Sequence, residues 1–275
     1  MTTPTGTAEP SPAVGLARRL PLGDIGLGLA GLFFVMAFVE LVSRAGLVNA
    51  NYLPPTSTIL GSFFRILGDP DFWTLLGLTL RGWAFGLAIA MAIGIALGLL
   101  IGSFQVLRDL TASTIEFLRP IPSVALIPLV VLLFGNRPPS ALVLVVYAAT
   151  WQVLVQVLYG VADVDPVARD TARSYRFSFL SVGRNVVWPT ALPYVVTGFR
   201  LAAAVALILE ITAELVIGVP GLGQAIALAQ SSGAVPETYA LVIAVGLVGV
   251  GVNLLARTVE RRVLRWHPSV RRDAA

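Results

Sequence analysis

The chain has 275 residues, 56% hydrophobic and only 12% charged, with a mean hydropathy of +0.84, which is too apolar for an ordinary soluble domain and implies an integral membrane protein. Cysteine is absent and the one histidine is His267, so disulfides, thiolate metal sites and cysteine nucleophiles are excluded. The formal charge of +4 rests on arginine alone, and most of these arginines flank apolar runs, so membrane orientation explains them and nucleic-acid binding does not.

Residues 1–22 are rich in Thr, Pro, Ala and Gly without an apolar period, and a disordered cytoplasmic tail is expected there. Arg18 and Arg19 precede an apolar run as in an export signal, but the run is long and lacks a cleavage site, so positive-inside anchoring is the reading. A bilayer-crossing helix needs about 20 apolar residues. On that basis six spans are predicted, at 25–42, 75–103, 121–134, 140–162, 191–217 and 238–256, the third borrowing residues from before Pro120. Between the first two, Ile59, Phe63, Ile66 and Leu67 share one helical face after the Leu53-Pro54-Pro55 break, which predicts a helix lying on the outer membrane surface.

The second span carries Gly82, Gly86, Ala90, Gly94, Gly98 and Gly102 at a regular spacing of four. Small residues so placed allow close backbone approach, either inside one bundle, the preferred reading, or at a subunit interface. Pro120, Pro122 and Pro128 interrupt the third span and predict a bent helix, lining a path or merely kinked for packing.

Residues 163–190 are polar between two apolar runs. Asp165 is a natural N-cap and Pro166 suits the first helical position, so a short helix is predicted among Arg169, Arg173, Arg176 and Arg184. Those arginines place the loop in the cytoplasm, and with 15 of the 19 arginines on that side both termini are cytoplasmic too. Val167, Thr171, Tyr175 and Phe179 recur every four residues beside a stripe of Arg169, Arg173 and Arg176, which predicts a docking face with a charged flank, the small Ala172 sitting where room is short.

Two acids, Glu210 and Glu214, lie on one face of the fifth span, roughly 25 and 30 Å beyond Pro193 at about 1.5 Å per residue. That depth suggests an outer gate. Glu214 is expected to brace the glycine-rich break at 218–224 and the helix at 225–230, whose free amides attract a carboxylate, with Glu210 lying deeper in the pathway. A stand-alone carrier or channel would instead use the pair to bind a proton or cation. Lysine is absent, so no phosphate-binding Gly-x-x-x-x-Gly-Lys-Ser/Thr loop exists, and no His-Glu-x-x-His or Gly-x-Ser-x-Gly motif supports an enzyme.

The loop resembles the Glu-Ala-Ala loop of ABC importer permeases, with Asp170, Thr171 and Ala172 for the triplet, Arg176 for the following Gly, and Val186, Trp188 and Pro189 for the Ile-x-Leu-Pro ending. Glu116 through Gly135, Leu53-Pro54-Pro55, Ala191 through Arg200 and Gly221-Leu-Gly-Gln are similar to the sulfonate, taurine and nitrate importer group. The resemblance implies an all-α, six-span permease of the type I importer kind over 23–262, its coupling loop at 163–190, with a cytoplasmic tail at 263–275. It implies a second permease chain, two cytoplasmic ATPase subunits that hold ATP and Mg, and an extracytoplasmic binding protein. This chain would carry no cofactor, and its solute would be small and anionic. Asp165, Pro166, Arg169, Asp170, Thr171, Ala172, Tyr175, Arg176, Phe179 and Pro189 would couple to the ATPase. Pro122, Pro128, Glu210 and Glu214 would line the path or gate. Arg176 in place of Gly, and Trp188 in place of Leu, set the usual tight turn after the helix in question.

Overall fold

The computed structural model describes residues 21–49 and 51–265, and every regular element among them is helical. Most of the expected tails at 1–22 and 263–275, His267 included, lies outside the described residues, although α1 (Pro21–Arg44) already begins at residue 21. Two compact units divide the chain, at 1–57 and 58–275. In the first, the Ser43 hydroxyl donates to the Leu53 carbonyl at 2.8 Å and the Thr56 hydroxyl donates to that of Met36 at 2.9 Å, folding the chain after α1 back along it.

The second unit contains most of α2 (Thr56–Leu67) and all of α3 (Pro70–Ser103), α4 (Gln105–Leu118), α5 (Ile127–Phe134) and α6 (Pro138–Ala162). The loop helices α7 (Pro166–Ser174) and α8 (Phe179–Val182) follow, then α9 (Trp188–Ile217), α10 (Leu222–Ser231) and α11 (Val235–Val263). Asp69 starts α3 by accepting the Asp71 amide at 3.0 Å, with Pro70 at the first helical position. Four helices, α1, α3, α6 and α11, are each long and apolar enough to cross a membrane, and two bent pairs raise the number of candidate spans to six.

The core is built on α3, α6 and α9. Val145, Val153, Val157 and Val161 of α6 fill the spaces left by Gly86, Gly94, Gly98 and Gly102 of α3. A methyl group at Gly98 would come within 2.6 Å of the Val157 Cβ, so only glycine permits this approach. The small-residue stripe therefore serves packing inside this chain. Both series rise together, so α3 and α6 run parallel. The 104–137 segment must then return along their length, and this is the work of α4 and α5.

That return is sharply bent. α4 and the segment 123–134 meet at 82° across the Pro120–Pro122 break, with Pro122 capping a short 3-10 turn and Pro128 in the first turn of α5 rather than inside a helix. The Ser140 hydroxyl, fully buried, donates to the Gly135 carbonyl and joins the end of α5 to the start of α6. α9 packs antiparallel on α6, with Ala191 and Tyr194 over Gly160 and the Gln152–Gln156 turn over Gly198.

The start of the fifth span differs from the sequence reading. α9 starts at Trp188 and is continuous with α8 through a π-helical turn at Gly183–Val187, so the second half of the expected loop is helix. Pro189 explains the widened turn, since it has no amide for the Asn185 carbonyl and its ring crowds that group. The apolar face predicted for α2 is the one that packs. Ile66, with Phe63 and Leu67, packs into a second cluster with Phe72, Leu222, Ile226 and Leu241, because an apolar face beside the ends of α3, α10 and α11 is better buried than left open.

Candidate functional site

Two groups of predicted residues hold distinct places. At one end is the loop. Asp165 caps α7 by accepting the Val167 amide at 2.8 Å, and Pro166 opens the helix. The Thr171 hydroxyl donates back to the Val167 carbonyl at 2.7 Å, Asp170 meets Arg173 in an exposed pair at 3.7 Å, and Ala172 is only 6% exposed.

The loop helix ends on Arg176. This residue has φ 55°, the left-handed conformation, and is the only non-glycine residue with positive φ among the described residues. The Phe177 amide donates to the Ala172 carbonyl at 3.0 Å and the Arg176 amide to that of Arg173 at 2.8 Å, the two bonds of a Schellman ending. The tight turn that the missing glycine called into question is therefore present, with arginine in the strained position.

That turn splits the four-residue stripe. Val167 and Thr171 lie on α7, Tyr175 follows its last residue, and Phe179 begins α8 after the chain has reversed. A single docking stripe on one helix is thus corrected to a compound surface of Val167, Tyr175, Phe179 and Leu180, all more than 65% exposed. The Phe179 ring stacks on Phe104 beyond the end of α3, centroids 5.4 Å apart, and the Tyr194 hydroxyl donates to Asp163 at 3.0 Å. These contacts seat the loop on the ends of α3 and α9. Pro189 sits apart from the surface, in the first turn of α9.

At the other end stand the acids. Glu214 is fully buried, and its Oε2 accepts the Gly223 amide at 2.9 Å, in the first turn of α10. The neighbouring Leu222 amide donates to the Thr79 hydroxyl of α3 at 3.0 Å. A side chain at Gly221 would collide with the Glu214 carboxylate, and one at Gly223 with the backbone of α9. Glu214 therefore clamps the α9–α10 corner.

Glu210 is 4% exposed and lies against Gly82, where any Cβ would overlap its carboxyl group. It lines a cavity of about 440 Å³ with Arg81, Phe85, Leu142, Val219 and Pro220. Glu210 and Glu214 thus share a helix face but not a role in the geometry. Pro122 and Pro128 do not line this cavity, whose prolines are Pro138, Pro139 and Pro220. Sequence reasoning set Glu214 against the 218–224 break, which holds Gly221 and Gly223, but passed over Thr79 as the partner of the Leu222 amide and Arg81 as a cavity residue; a charged side chain inside a long apolar run was the available signal for Arg81.

A capped loop helix at one end of a bundle of long apolar helices, and a largely apolar cleft holding Arg81 and Glu210 near the other, fit a membrane transport subunit. Residues 90–265 match the family of inner membrane components of binding-protein-dependent transport systems, and the chain belongs to that family, the permeases of ABC importers. It is 29% identical over 86% of its length to the aliphatic sulfonates transport permease SsuC of Escherichia coli (strain K12), 89% of which is covered. The taurine transport permease TauC of the same organism is 28% identical, over 93% of this chain and 95% of that one. The bicarbonate transport permease CmpB of Synechococcus elongatus is 31% identical, over 90% and 92%. In fold, the chain resembles a solved amino acid ABC transporter at a TM-score of 0.58, with 20% identity, over 70% of this chain and 94% of that one.

Proposed function

We propose that this chain forms half of the membrane path of an importer for a small solute of the sulfonate, taurine, bicarbonate or nitrate class, and that α7 and α8 couple it to a separate ATPase. Six spans with both ends on the cytoplasmic side fit the arginine distribution and the parallel course of α3 and α6, which requires an odd number of crossings between them. α5 alone is about 12 Å long, so α4 supplies part of that crossing. ATP and Mg would be held by the ATPase, one under each of two permease chains, and a binding protein would deliver solute from the opposite side.

The observation that carries this reading is the loop surface. Val167, Tyr175, Phe179 and Leu180 expose large side chains beside Arg169, Arg173 and Arg176, on a segment capped by Asp165 and turned at Arg176. A soluble partner with an apolar groove rimmed by acids fits that surface. Charge placed at the exposed positions, in V167D and L180D, tests it. Both variants should insert and melt as the wild type does, yet lose at least about tenfold of substrate-stimulated ATP hydrolysis, as expected when a desolvated apolar anchor is lost. Unchanged stimulation in the double variant would sink the assignment.

The stand-alone carrier is the weaker reading. Glu214 is enclosed and hydrogen-bonded to α10, which leaves it little access to a moving cation.

A further inference from the structure

The cleft that holds Glu210 also holds Arg81, and neither forms an ion pair with another described residue. Arg44–Glu40, Arg173–Asp170 and Arg200–Glu260 are the ion pairs among the described residues, and neither cleft residue belongs to one. Glu210 is 4% exposed, and its Oε2 has no hydrogen-bond partner among the described residues. A buried carboxylate oxygen left without a donor is costly. Gly82, by lacking a side chain, reserves the space in which that carboxyl group sits.

Arg81 stands about 16 Å from the start of α3, with its guanidinium 5.8 Å from the centre of the Phe85 ring at the cavity wall. Arg81 is itself exposed, so its guanidinium is open to water or to an anion entering the cleft. In the same cavity Leu142, Val219 and Pro220 give apolar walls suited to a short methylene chain.

We propose that this cleft binds a small zwitterion, its ammonium group donating to Glu210 and its strong-acid group accepting from Arg81. The inference rests on the transport reading above and narrows its substrate class. A simple alkyl anion would satisfy Arg81 but lay its tail against a carboxylate, an inorganic anion would bring nothing to Glu210, and a simple cation would leave Arg81 unpaired. A solute with both charges answers both residues at once.

The test is equilibrium binding to the permease–ATPase complex in lipid nanodiscs, with 2-aminoethanesulfonate and ethanesulfonate as probes of matched length. The wild type should prefer the zwitterion by about tenfold or more, the contribution of one charge-assisted hydrogen bond. Glu210→Gln, nearly isosteric, should erase that preference while changing ethanesulfonate binding less than about twofold, and Arg81→Gln should weaken both probes about tenfold. Equal wild-type affinity for the two probes, binding of neither, or a preference that survives Glu210→Gln would each overturn the inference. The wild-type comparison needs no variant to fold. ATP hydrolysis that responds to the permease and an alkanesulfonate, without any zwitterion preference, would overturn this inference alone. Failure of a separate ATPase to couple at all would overturn the transport reading.

Discussion

Arg176 stores backbone strain in the loop. A non-glycine residue in the left-handed region costs roughly 1 kcal/mol relative to glycine, and the Schellman bonds at Arg173 and Ala172 hold it there. Arg176→Gly should therefore firm the turn, slowing hydrogen exchange at the Phe177 amide, whereas Arg176→Val, β-branched, should speed it. Exchange unchanged in both would show that the arginine is not strained. Glu214 poses a different kind of question, because its carboxylate satisfies a buried amide. Glu214→Gln keeps an acceptor oxygen for the Gly223 amide, and Glu214→Leu does not, so the leucine variant should lose about 1–3 kcal/mol more stability in thermal unfolding and most of its transport. Equal transport loss in both, with a fall in cation dependence, would favour a carrier. The attraction of a carboxylate to the amides after the 218–224 break was legible from spacing alone. Its seat at Gly221 was not, since that depends on how the corner closes in space.

At the scale of elements, α3 and α6 interlock by valine into glycine. Overpacking such a contact costs about 1–3 kcal/mol, whereas replacing an unobstructed helical glycine by alanine gains about 0.5–1 kcal/mol. Gly98→Ala should thus lower the unfolding temperature of the detergent-solubilised chain, and Gly77→Ala, with nothing within 4 Å of its would-be Cβ, should raise it slightly. Equal shifts would count against the interlock. The stripe was readable because a spacing of four recurs on one helix face, but the valines that fill it were not, for they look like any apolar helix positions. The loop stripe failed for the opposite reason. Periodicity continued past Ser174, while the backbone turned at Arg176, and no residue in that stretch is a habitual left-handed glycine.

On the scale of the molecule, energy must come from elsewhere. Without lysine the chain cannot build the phosphate loop that grips ATP, so the purified chain should hydrolyse no ATP and should drive no uphill uptake until a nucleotide-binding subunit is added. Uphill uptake by the reconstituted chain alone would refute this. The sequence by itself determined the membrane class, the apolar runs, the capped start of the loop helix and the presence of two acids on one face, because composition, periodicity and capping act within a few turns of chain. Only the tertiary structure decided the parallel course of α3 and α6, the left-handed ending at Arg176, the shared cavity of Arg81 and Glu210, and the meeting of Thr79 with α10. These pairings join residues as far apart as Thr79 and Leu222, whose amide donates to the Thr79 hydroxyl at 3.0 Å only once the helices have locked in register. Register is set by which side chains fit which gaps, and that is a property of the packed bundle rather than of any one segment.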